Sequence, residues 1–262
     1  MKKISVCGKG GSGKSTVVAL FAKVMRDRGY KTLVVDSDES NPGLYRMLGF
    51  ERRPNPLMEL VGGKKKVFET FSKNSESSES ILRKDFFLTK DLPRQYVEEN
   101  NGIKLVCIGK ILQSLEGCAC PMGALCREFL KRLRLQNDEM AVIDMEAGIE
   151  HFGRGVETSV DSLLIVVEPS FDSLELAEKI NTLASEVKMK NVWAVLNKIP
   201  SFELGLKLSD QLRERDVNVI GAINYDEYVF LTSLEGRPLG ESKAEKDVAE
   251  IIDFLLDGKD NA

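Results

Sequence analysis

The sequence predicts an α/β fold, built as a single doubly wound, mainly parallel sheet with helices on both faces. Continuous apolar runs recur along the chain, and most of them are separated by segments of helical length. Runs that are apolar at every position are typical of parallel strands, because helices cover both faces of such a sheet. The seven runs that predict strands are residues 4–7, 32–35, 105–108, 140–143, 163–167, 192–196 and 217–220.

The N-terminal segment shows the repeating unit of this fold. The strand at 4–7 leads into a glycine-rich turn, and the next segment has the apolar spacing of a helix that ends at Gly29. A second strand at 32–35 follows and ends in acidic residues. This order predicts a β-α-β crossover between parallel strands. The apolar helix positions are Val17, Leu20, Phe21, Val24 and Met25.

Residues 51–101 interrupt the alternation of strands and helices. This stretch is richer in charge, serine and asparagine than its surroundings, and its apolar content is thin. We expect one domain over residues 1–262, with 51–101 as a polar insertion outside the sheet. A small separate domain is the alternative. The chain has no internal repeat.

Composition and charge exclude several classes of protein. The 262 residues include 37 Lys and Arg against 41 Asp and Glu, a formal net charge of −4, and 42% are hydrophobic, which is typical of a globular chain. The acidic balance disfavours a nucleic-acid partner. No apolar run approaches the roughly 18 residues of a membrane span, and no signal peptide is recognisable. We therefore expect a cytoplasmic protein with no membrane and no nucleic acid as partner.

A phosphate-binding loop follows the first strand directly and precedes the first helix. Residues 8–16 match the pattern G-x-x-x-x-G-K-[ST] at every fixed position. Glycines let the backbone N–H groups surround the phosphates, Lys14 reaches the outer phosphates, and Ser15 is the expected Mg²⁺ ligand. The predicted nucleotide-binding residues of the loop are Gly8, Lys9, Gly10, Gly11, Ser12, Gly13, Lys14, Ser15 and Thr16.

Lys9 adds a second cation to this loop. A nucleotide that Lys14 already contacts does not need it, so Lys9 is available to another subunit. The sequence K-G-G-x-G-K-[ST] resembles the deviant Walker A signature of the ATPase family that includes nitrogenase iron protein, MinD and ParA. The resemblance implies a P-loop ATPase that forms a homodimer around ATP, with Lys9 and Lys14 as catalytic residues. A solvated surface lysine is the alternative for Lys9.

Acidic residues follow two of the predicted strands. Asp36 and Asp38 end the second strand, and Asp144 ends the run at 140–143. The carboxyl ends of these strands converge on the ligand crevice of an open α/β sheet. By resemblance Asp38 orients or deprotonates the attacking water, Asp36 and Asp144 support Mg²⁺, and the Gly148 N–H senses the terminal phosphate. A strand-end cap is the alternative for each aspartate.

Asn197 and Lys198 come after the predicted strand core at 192–195. They resemble the turn that recognises the base in the same family, and an amide suits a purine edge because it both donates and accepts. Adenine, and therefore ATP, is implied by the resemblance alone. A strand-terminating asparagine is the alternative.

A cysteine pair lies before a second predicted helix. Pro121 suits the first turn of that helix, so Cys120 lies near its N-terminus, where the thiolate is favoured. Cys118 and Cys120 can hold half of a tetrahedral thiolate site, and two copies of the chain would complete it. Nickel and zinc both fit such ligands. Two small residues at a helix start are the alternative.

The remaining cysteines and the single histidine are weaker candidates for metal ligands. Cys126 shares a helix face with Leu125 and is expected in the core, and Cys7 and Cys107 lie within predicted strands. His151 is expected to be a polar residue, with an auxiliary metal ligand as the alternative. Whether Cys126 or His151 joins the metal site stays open here.

Several segments together resemble the CooC type of ATPase, which inserts nickel into carbon monoxide dehydrogenase. The resemblance implies a Mg²⁺-ATP-dependent dimer that carries Ni²⁺ on Cys118 and Cys120, Zn²⁺ being possible there, to a client nickel–iron–sulfur enzyme such as carbon monoxide dehydrogenase. A positioning ATPase like MinD or ParA, or an iron–sulfur cluster carrier, is the alternative. The matching segments are the phosphate loop and residues 108–111, 117–121, 144–155, 197–198 and 234–239.

Overall fold

The computed structural model describes residues 2–38, 40–63, 67, 85–109 and 120–257. All seven apolar runs form strands, as the sequence predicts. The strands are β1 (Lys3–Gly8), β2 (Lys31–Asp36), β3 (Phe87–Leu88), β4 (Glu98–Asn100), β5 (Ile103–Cys107), β6 (Leu133–Arg134), β7 (Glu139–Asp144), β8 (Ser162–Val167), β9 (Val192–Ile199) and β10 (Val219–Asn224). The helices with described bounds are α1 (Lys14–Asp27), α2 (Leu44–Met47), α3 (Leu57–Leu60), α4 (Cys120–Arg132), α5 (Glu150–Arg154), α6 (Phe171–Glu186), α7 (Phe202–Arg213), α8 (Glu227–Leu234) and α9 (Lys243–Asp257).

The central sheet places its ligand crevice at the ends of β1 and β7. Its strand order is β10-β9-β8-β1-β7-β2-β5-β4, and every neighbouring pair is parallel except β4 with β5. From β1 the chain proceeds to β2 on one side, whereas from β7 it proceeds to β8 on the other side. Connections that leave adjacent strands in opposite directions open a crevice at the carboxyl ends of those strands.

Two apolar cores cover the two faces of the sheet. Along β7, Met140 and Val142 pack with α1 and α9, whereas Ala141 and Ile143 pack with α4, α6 and α7. Burial on both faces explains why the strands read as continuous apolar runs. Among the described residues, no helix combines the length and the apolar character that a bilayer crossing requires.

The expectation that residues 51–101 lie outside the sheet is wrong at the end of that segment. Glu98–Asn100 forms β4, an antiparallel edge strand on β5. The turn between them is Asn101-Gly102, with φ angles of 47° and 78°. An Asn-Gly pair with both φ angles positive is the preferred two-residue hairpin turn, and it is the signal that apolar periodicity alone misses. Residues 64–66 and 68–84 of the segment lie outside the described residues.

Two strand boundaries also differ from the prediction. β9 continues to Ile199, so Asn197 and Lys198 lie within the strand and not after it. Lys198 has a φ of 60°, and the pairing of β9 with β10 shifts register near this point. β10 begins two residues later than the predicted run at 217–220 and extends to Asn224. The extra strand length carries Asn197 towards the phosphate loop.

Candidate functional site

The phosphate loop connects β1 to α1 with a backbone that only glycine adopts easily. The φ angles of Gly8, Gly11 and Gly13 are 140°, 82° and 96°. A Cβ atom on Gly13 would lie 2.3 Å from Nδ2 of Asn197, and one on Gly8 would lie 2.4 Å from the carbonyl oxygen of Val166. Close approach and left-handed backbone therefore both require glycine at 8 and 13. The loop ends at the N-terminus of a helix, where backbone N–H groups and the helix dipole favour an anion.

A cavity of about 600 Å³ adjoins this loop. Its far wall comes from β10 and α8 and includes Tyr225, Asp226 and Phe230, which sequence reasoning missed. Asp226 accepts hydrogen bonds from the backbone N–H groups of Tyr228 and Ala244, and so joins the starts of α8 and α9. The predicted residues that line the cavity are Gly10, Gly11, Gly13, Lys14, Ser15, Thr16, Asp38, Asn197 and Lys198.

The two loop lysines occupy different surroundings. Lys14 is buried and its Nζ lies 3.4 Å from the carbonyl oxygen of Lys9, so its ammonium remains at the loop. Nζ of Lys9 lies 3.5 Å from a carboxylate oxygen of Glu168 and 3.5 Å from one of Asp172. Lys14 lines the cavity and Lys9 does not. The roles predicted for the two lysines by resemblance stay predictions.

The arrangement at the end of β7 suits a magnesium ion. The Ser15 hydroxyl donates to Oδ2 of Asp144 over 2.6 Å, and Nδ2 of Asn41 donates to the same hydroxyl. Oδ1 of Asp144 is buried and has no hydrogen-bond partner among the described residues. Burial and the nearby Asp36 raise the pKa of Asp144 to about 7, against the hydrogen bond from Ser15. A buried carboxylate with one oxygen that lacks a hydrogen-bond partner fits a divalent cation, which would offset the cost of removing that carboxylate from water.

Asp38 lies beside the cavity at the end of the second strand. It is buried, and one carboxylate oxygen accepts from the backbone N–H of Ser40 over 2.9 Å and from its hydroxyl over 2.6 Å. These bonds fix the orientation of the carboxylate towards the cavity rim. Within the described residues, no group of three or more His, Cys, Asp or Glu side chains forms a metal cage. Magnesium bound by one hydroxyl, water and phosphate oxygens needs no such cage.

Gly148 contacts the phosphate loop, and its N–H group forms a hydrogen bond within that contact. The N–H of Gly148 donates to the carbonyl oxygen of Gly8 over 3.2 Å, and the φ of Gly148 is 88°. Ala147 lies 3.7 Å from the position of a Cβ on Gly10. The segment after β7 therefore contacts both glycines at the start of the loop.

Asn197 and Lys198 brace the loop from the neighbouring strand. Nδ2 of Asn197 donates to the carbonyl oxygen of Ser12 over 2.7 Å, and Nζ of Lys198 donates to that of Gly11. Because Nδ2 holds the loop, recognition of a base by Asn197 would use its acceptor, Oδ1.

Residues Cys120–Arg132 form α4, which confirms the helix predicted after the cysteine pair. Cys118 and the side chain of Cys120 lie outside the described residues, so the predicted metal pair stays a prediction. Cys7, Cys107 and Cys126 are buried, which confirms that they belong to the core.

His151 is also buried, beneath α4 and the turn at Val156–Ser159. Its Nδ1 contacts a carboxylate oxygen of Glu157, and both side chains are almost fully enclosed. Its Nε2 has no hydrogen-bond partner among the described residues. The Glu157 carboxylate compensates part of the cost of burying the imidazole.

The segment after β7 packs on the first turns of α4. Glu146 forms an ion pair with Arg154, and the Arg154 side chain covers Gly123, where a Cβ would lie 2.1 Å from Cδ of Arg154. Arg127 donates to the carbonyl oxygen of Arg154 over 3.0 Å. A physical connection therefore runs from the phosphate loop, through residues 145–155, to the helix that begins at Cys120.

In the native protein, thiol reagents should modify no cysteine other than Cys118 and Cys120. Burial raises the pKa of Cys126 to about 12, although a hydrogen bond with Ser37 opposes this, and burial also raises the pKa of Cys7. A thiol that is both enclosed and protonated reacts slowly with alkylating reagents. We expect iodoacetamide at pH 8 to leave Cys7, Cys107 and Cys126 unmodified in the folded protein and to modify all five cysteines after denaturation, as read by peptide mass spectrometry. Rapid native labelling of Cys126 would contradict the buried placement.

Comparison with known proteins places this geometry in a family. Residues 4–239 match the model of the CobQ/CobB/MinD/ParA nucleotide binding domain. The chain is 39% identical to an uncharacterised ATP-binding protein of Methanocaldococcus jannaschii, over 95% of this chain and 99% of that protein. It is 34% identical to the carbon monoxide dehydrogenase accessory protein CooC of Rhodospirillum rubrum, over 86% of this chain and 84% of that protein.

Solved structures show the same fold at lower sequence identity. The septum site-determining protein MinD of Pyrococcus horikoshii, complexed with Mg-ADP, aligns with a TM-score of 0.71 at 19% identity and covers 100% of this chain and 99% of its own. MinD of Pyrococcus furiosus aligns with a TM-score of 0.70 over 98% of both chains at 18% identity. The match over residues 4–239, together with the loop, the two strand-end carboxylates and the parallel sheet, shows that the chain belongs to the CobQ/CobB/MinD/ParA nucleotide-binding family of P-loop proteins.

Proposed function

We propose that the protein is a Mg²⁺-dependent, dimeric ATPase that binds nickel through Cys118 and Cys120 and delivers it to a nickel–iron–sulfur enzyme such as carbon monoxide dehydrogenase. The observation that carries the proposal is the packing of residues 145–155 between the phosphate loop and the first turns of α4. The 34% identity to CooC, named as a carbon monoxide dehydrogenase accessory protein, supports the choice of client.

Hydrolysis would use the residues around the cavity. Lys14 and the loop N–H groups hold the phosphates, while Ser15, with Asp144 and Asp36 behind it, would hold Mg²⁺, which neutralises charge on the leaving phosphates. Asp38, whose carboxylate accepts two hydrogen bonds from Ser40, would orient the attacking water and accept its proton.

Communication with the cysteine pair would follow the contact at Arg154. Movement of Gly148 towards a terminal phosphate shifts the segment that carries Glu146 and Arg154. Arg154 lies on Gly123, close to the start of α4, so the shift reaches the turn that begins at Cys120. The absence of a side chain at Gly123 is what allows this contact.

A symmetric dimer is the simplest way to complete the metal site. One chain supplies two thiolates, whereas a closed tetrahedral site needs four ligands. Two chains related by a twofold axis supply Cys118 and Cys120 twice. ATP and metal would then both favour the dimer, and each would tighten binding of the other.

Metal analysis tests the proposal. Anaerobic protein is dialysed against Ni²⁺ with and without Mg²⁺-ATP, and the bound metal and the molar mass are measured. We expect one nickel per two chains in the wild type and loss of nickel in Cys118→Ala/Cys120→Ala. Cys126→Ala is the matched control, because it removes a buried thiol from the same helix and should keep the metal.

The outcomes separate the alternatives. Unchanged nickel stoichiometry in the double variant would overturn the assigned ligands. A broad visible absorption band in anaerobically purified protein, together with iron and sulfide, would favour an iron–sulfur cluster on the same thiolates. ATP-dependent dimerisation without any bound metal would favour a positioning ATPase.

A further inference from the structure

Lys9 is held within its own chain by acidic residues that no motif identifies. Its Nζ lies 3.5 Å from Oε1 of Glu168, 3.5 Å from Oδ2 of Asp172 and 3.4 Å from the Ser170 hydroxyl. The Glu168 side chain is 20% exposed and that of Asp172 is 76% exposed. The ion pair between Lys9 and Glu168 is therefore less exposed to solvent than the pair between Lys9 and Asp172. Because the two distances are equal, the pair with Glu168 is the stronger.

Glu168 holds a second lysine at the same rim. Its Oε2 lies 3.3 Å from Nζ of Lys198, which also donates to the carbonyl oxygen of Gly11. One carboxylate thus contacts two cations, one in the phosphate loop and one on β9. The backbone fixes it there, because the Glu168 N–H donates to the Ser173 hydroxyl over 3.2 Å and the preceding strand, β8, pairs with β1.

We propose that Glu168 is a positioning residue for Lys9: it keeps the lysine inside its own chain until the phosphates of a nucleotide on a second copy compete for it. The proposal rests on the dimeric mechanism above. It adds a resting position for Lys9 and a residue that sets how readily the lysine leaves that position.

Electrostatics supports such an exchange. A lysine on a flexible stem reaches different anions by rotamer changes alone. Its contacts with Glu168 and Asp172 are 3.5 Å long and partly solvated, so they are weak enough to be replaced. A nucleoside triphosphate carries more negative charge than either carboxylate. On the dimeric mechanism, the partner's nucleotide reaches Lys9 only when two copies of the chain meet. Glu168 thereby raises the nucleotide concentration that dimerisation requires.

The variant Glu168→Gln tests the proposal. Molar mass is measured by light scattering during gel filtration, against the concentration of a non-hydrolysable ATP analogue with Mg²⁺. We expect half-dimerisation at an analogue concentration about two- to fivefold lower than for the wild type, the range for one partly exposed ion pair. The difference should shrink at high salt, because screening weakens the competing pair.

Matched variants separate positioning from general charge effects. Asp172→Asn removes an equally distant but more exposed carboxylate and should shift dimerisation less. Asp210→Asn removes a charge that pairs with Arg213 on α7 and should leave dimerisation at the wild-type concentration. In a Lys9→Ala background, Glu168→Gln should have no further effect. Melting curves of each variant check that the fold is intact.

The result also distinguishes this inference from the mechanism on which it rests. If the wild type dimerises with nucleotide but Glu168→Gln behaves identically to it at all salt concentrations, the positioning role is overturned and the dimeric mechanism stands. If neither protein dimerises with any nucleotide, the dimeric mechanism falls, and the inference falls with it.

Discussion

Replacing Gly13 by alanine should greatly weaken ATP binding. The new Cβ would lie 2.3 Å from Nδ2 of Asn197, and the residue would have to keep a φ of 96°. Left-handed backbone alone costs a residue with a side chain about 1–2 kcal/mol. Asn197 cannot retreat without losing its bond to Ser12, so the loop itself would move. We expect ATP affinity to fall on the order of 100-fold, or about 2.8 kcal/mol, by isothermal titration calorimetry.

Gly29→Ala is the matched control for backbone strain. Gly29 follows the other end of α1 with a φ of 87°, and no atom lies within 4 Å of the position of its Cβ. This variant should lower the melting temperature through strain but bind ATP with the affinity of the wild type. Similar losses of affinity in the two variants would contradict the contact with Asn197 as the cause.

Replacing Asp144 by asparagine should separate activity from stability. Its buried carboxylate lies near Asp36 and Asp38, and its pKa is raised to about 7, so its charge destabilises the folded protein without a cation. The amide removes that charge at nearly constant volume. We expect Mg²⁺-dependent ATP hydrolysis to fall about 10- to 100-fold, as for other groups that orient a metal's ligands, while the melting temperature of the metal-free protein rises.

Glu139→Gln is the corresponding control at the opposite end of β7. Glu139 is also buried, but its carboxylate accepts from the Thr89 hydroxyl and from the backbone N–H of Gln136 over 2.8 Å. Loss of charge there weakens satisfied hydrogen bonds, so stability should decrease while Mg²⁺-dependent hydrolysis continues. A lower melting temperature for Asp144→Asn would show that its carboxylate is compensated even without the ion.

The strands could be predicted where burial on both faces left a continuous apolar run. β4 has no such run, since Glu98, Glu99 and Asn100 are polar and lie at the sheet edge. Its only local signal is the Asn101-Gly102 turn. The extension of β9 through Asn197 and Lys198 is hidden for a similar reason: these polar residues continue the strand because Leu196 and Ile199 on either side of them pair with β10.

The sequence predicts those parts of the site whose residues are neighbours in the chain or follow directly from a strand. The phosphate loop is one motif, and the placement of Asp36 and Asp144 follows from the rule for strand ends. Glu168, Asn41 and Asp226 reach the loop and the cavity from separate connections, and no spacing relates them to the loop. Their roles depend on tertiary contacts, which a single sequence does not encode as a local pattern.

The bond from Gly148 to Gly8 sets a condition on the proposed role of Gly148 as a phosphate sensor. While the N–H of Gly148 donates to the Gly8 carbonyl over 3.2 Å, it is unable to bind a phosphate, so the two acceptors compete for one donor. A neutral hydrogen bond contributes about 1 kcal/mol, and one to a charged acceptor about 1.5–3 kcal/mol. On the proposed mechanism, loss of the terminal phosphate would return this N–H to the Gly8 carbonyl, so the segment would respond reversibly to hydrolysis.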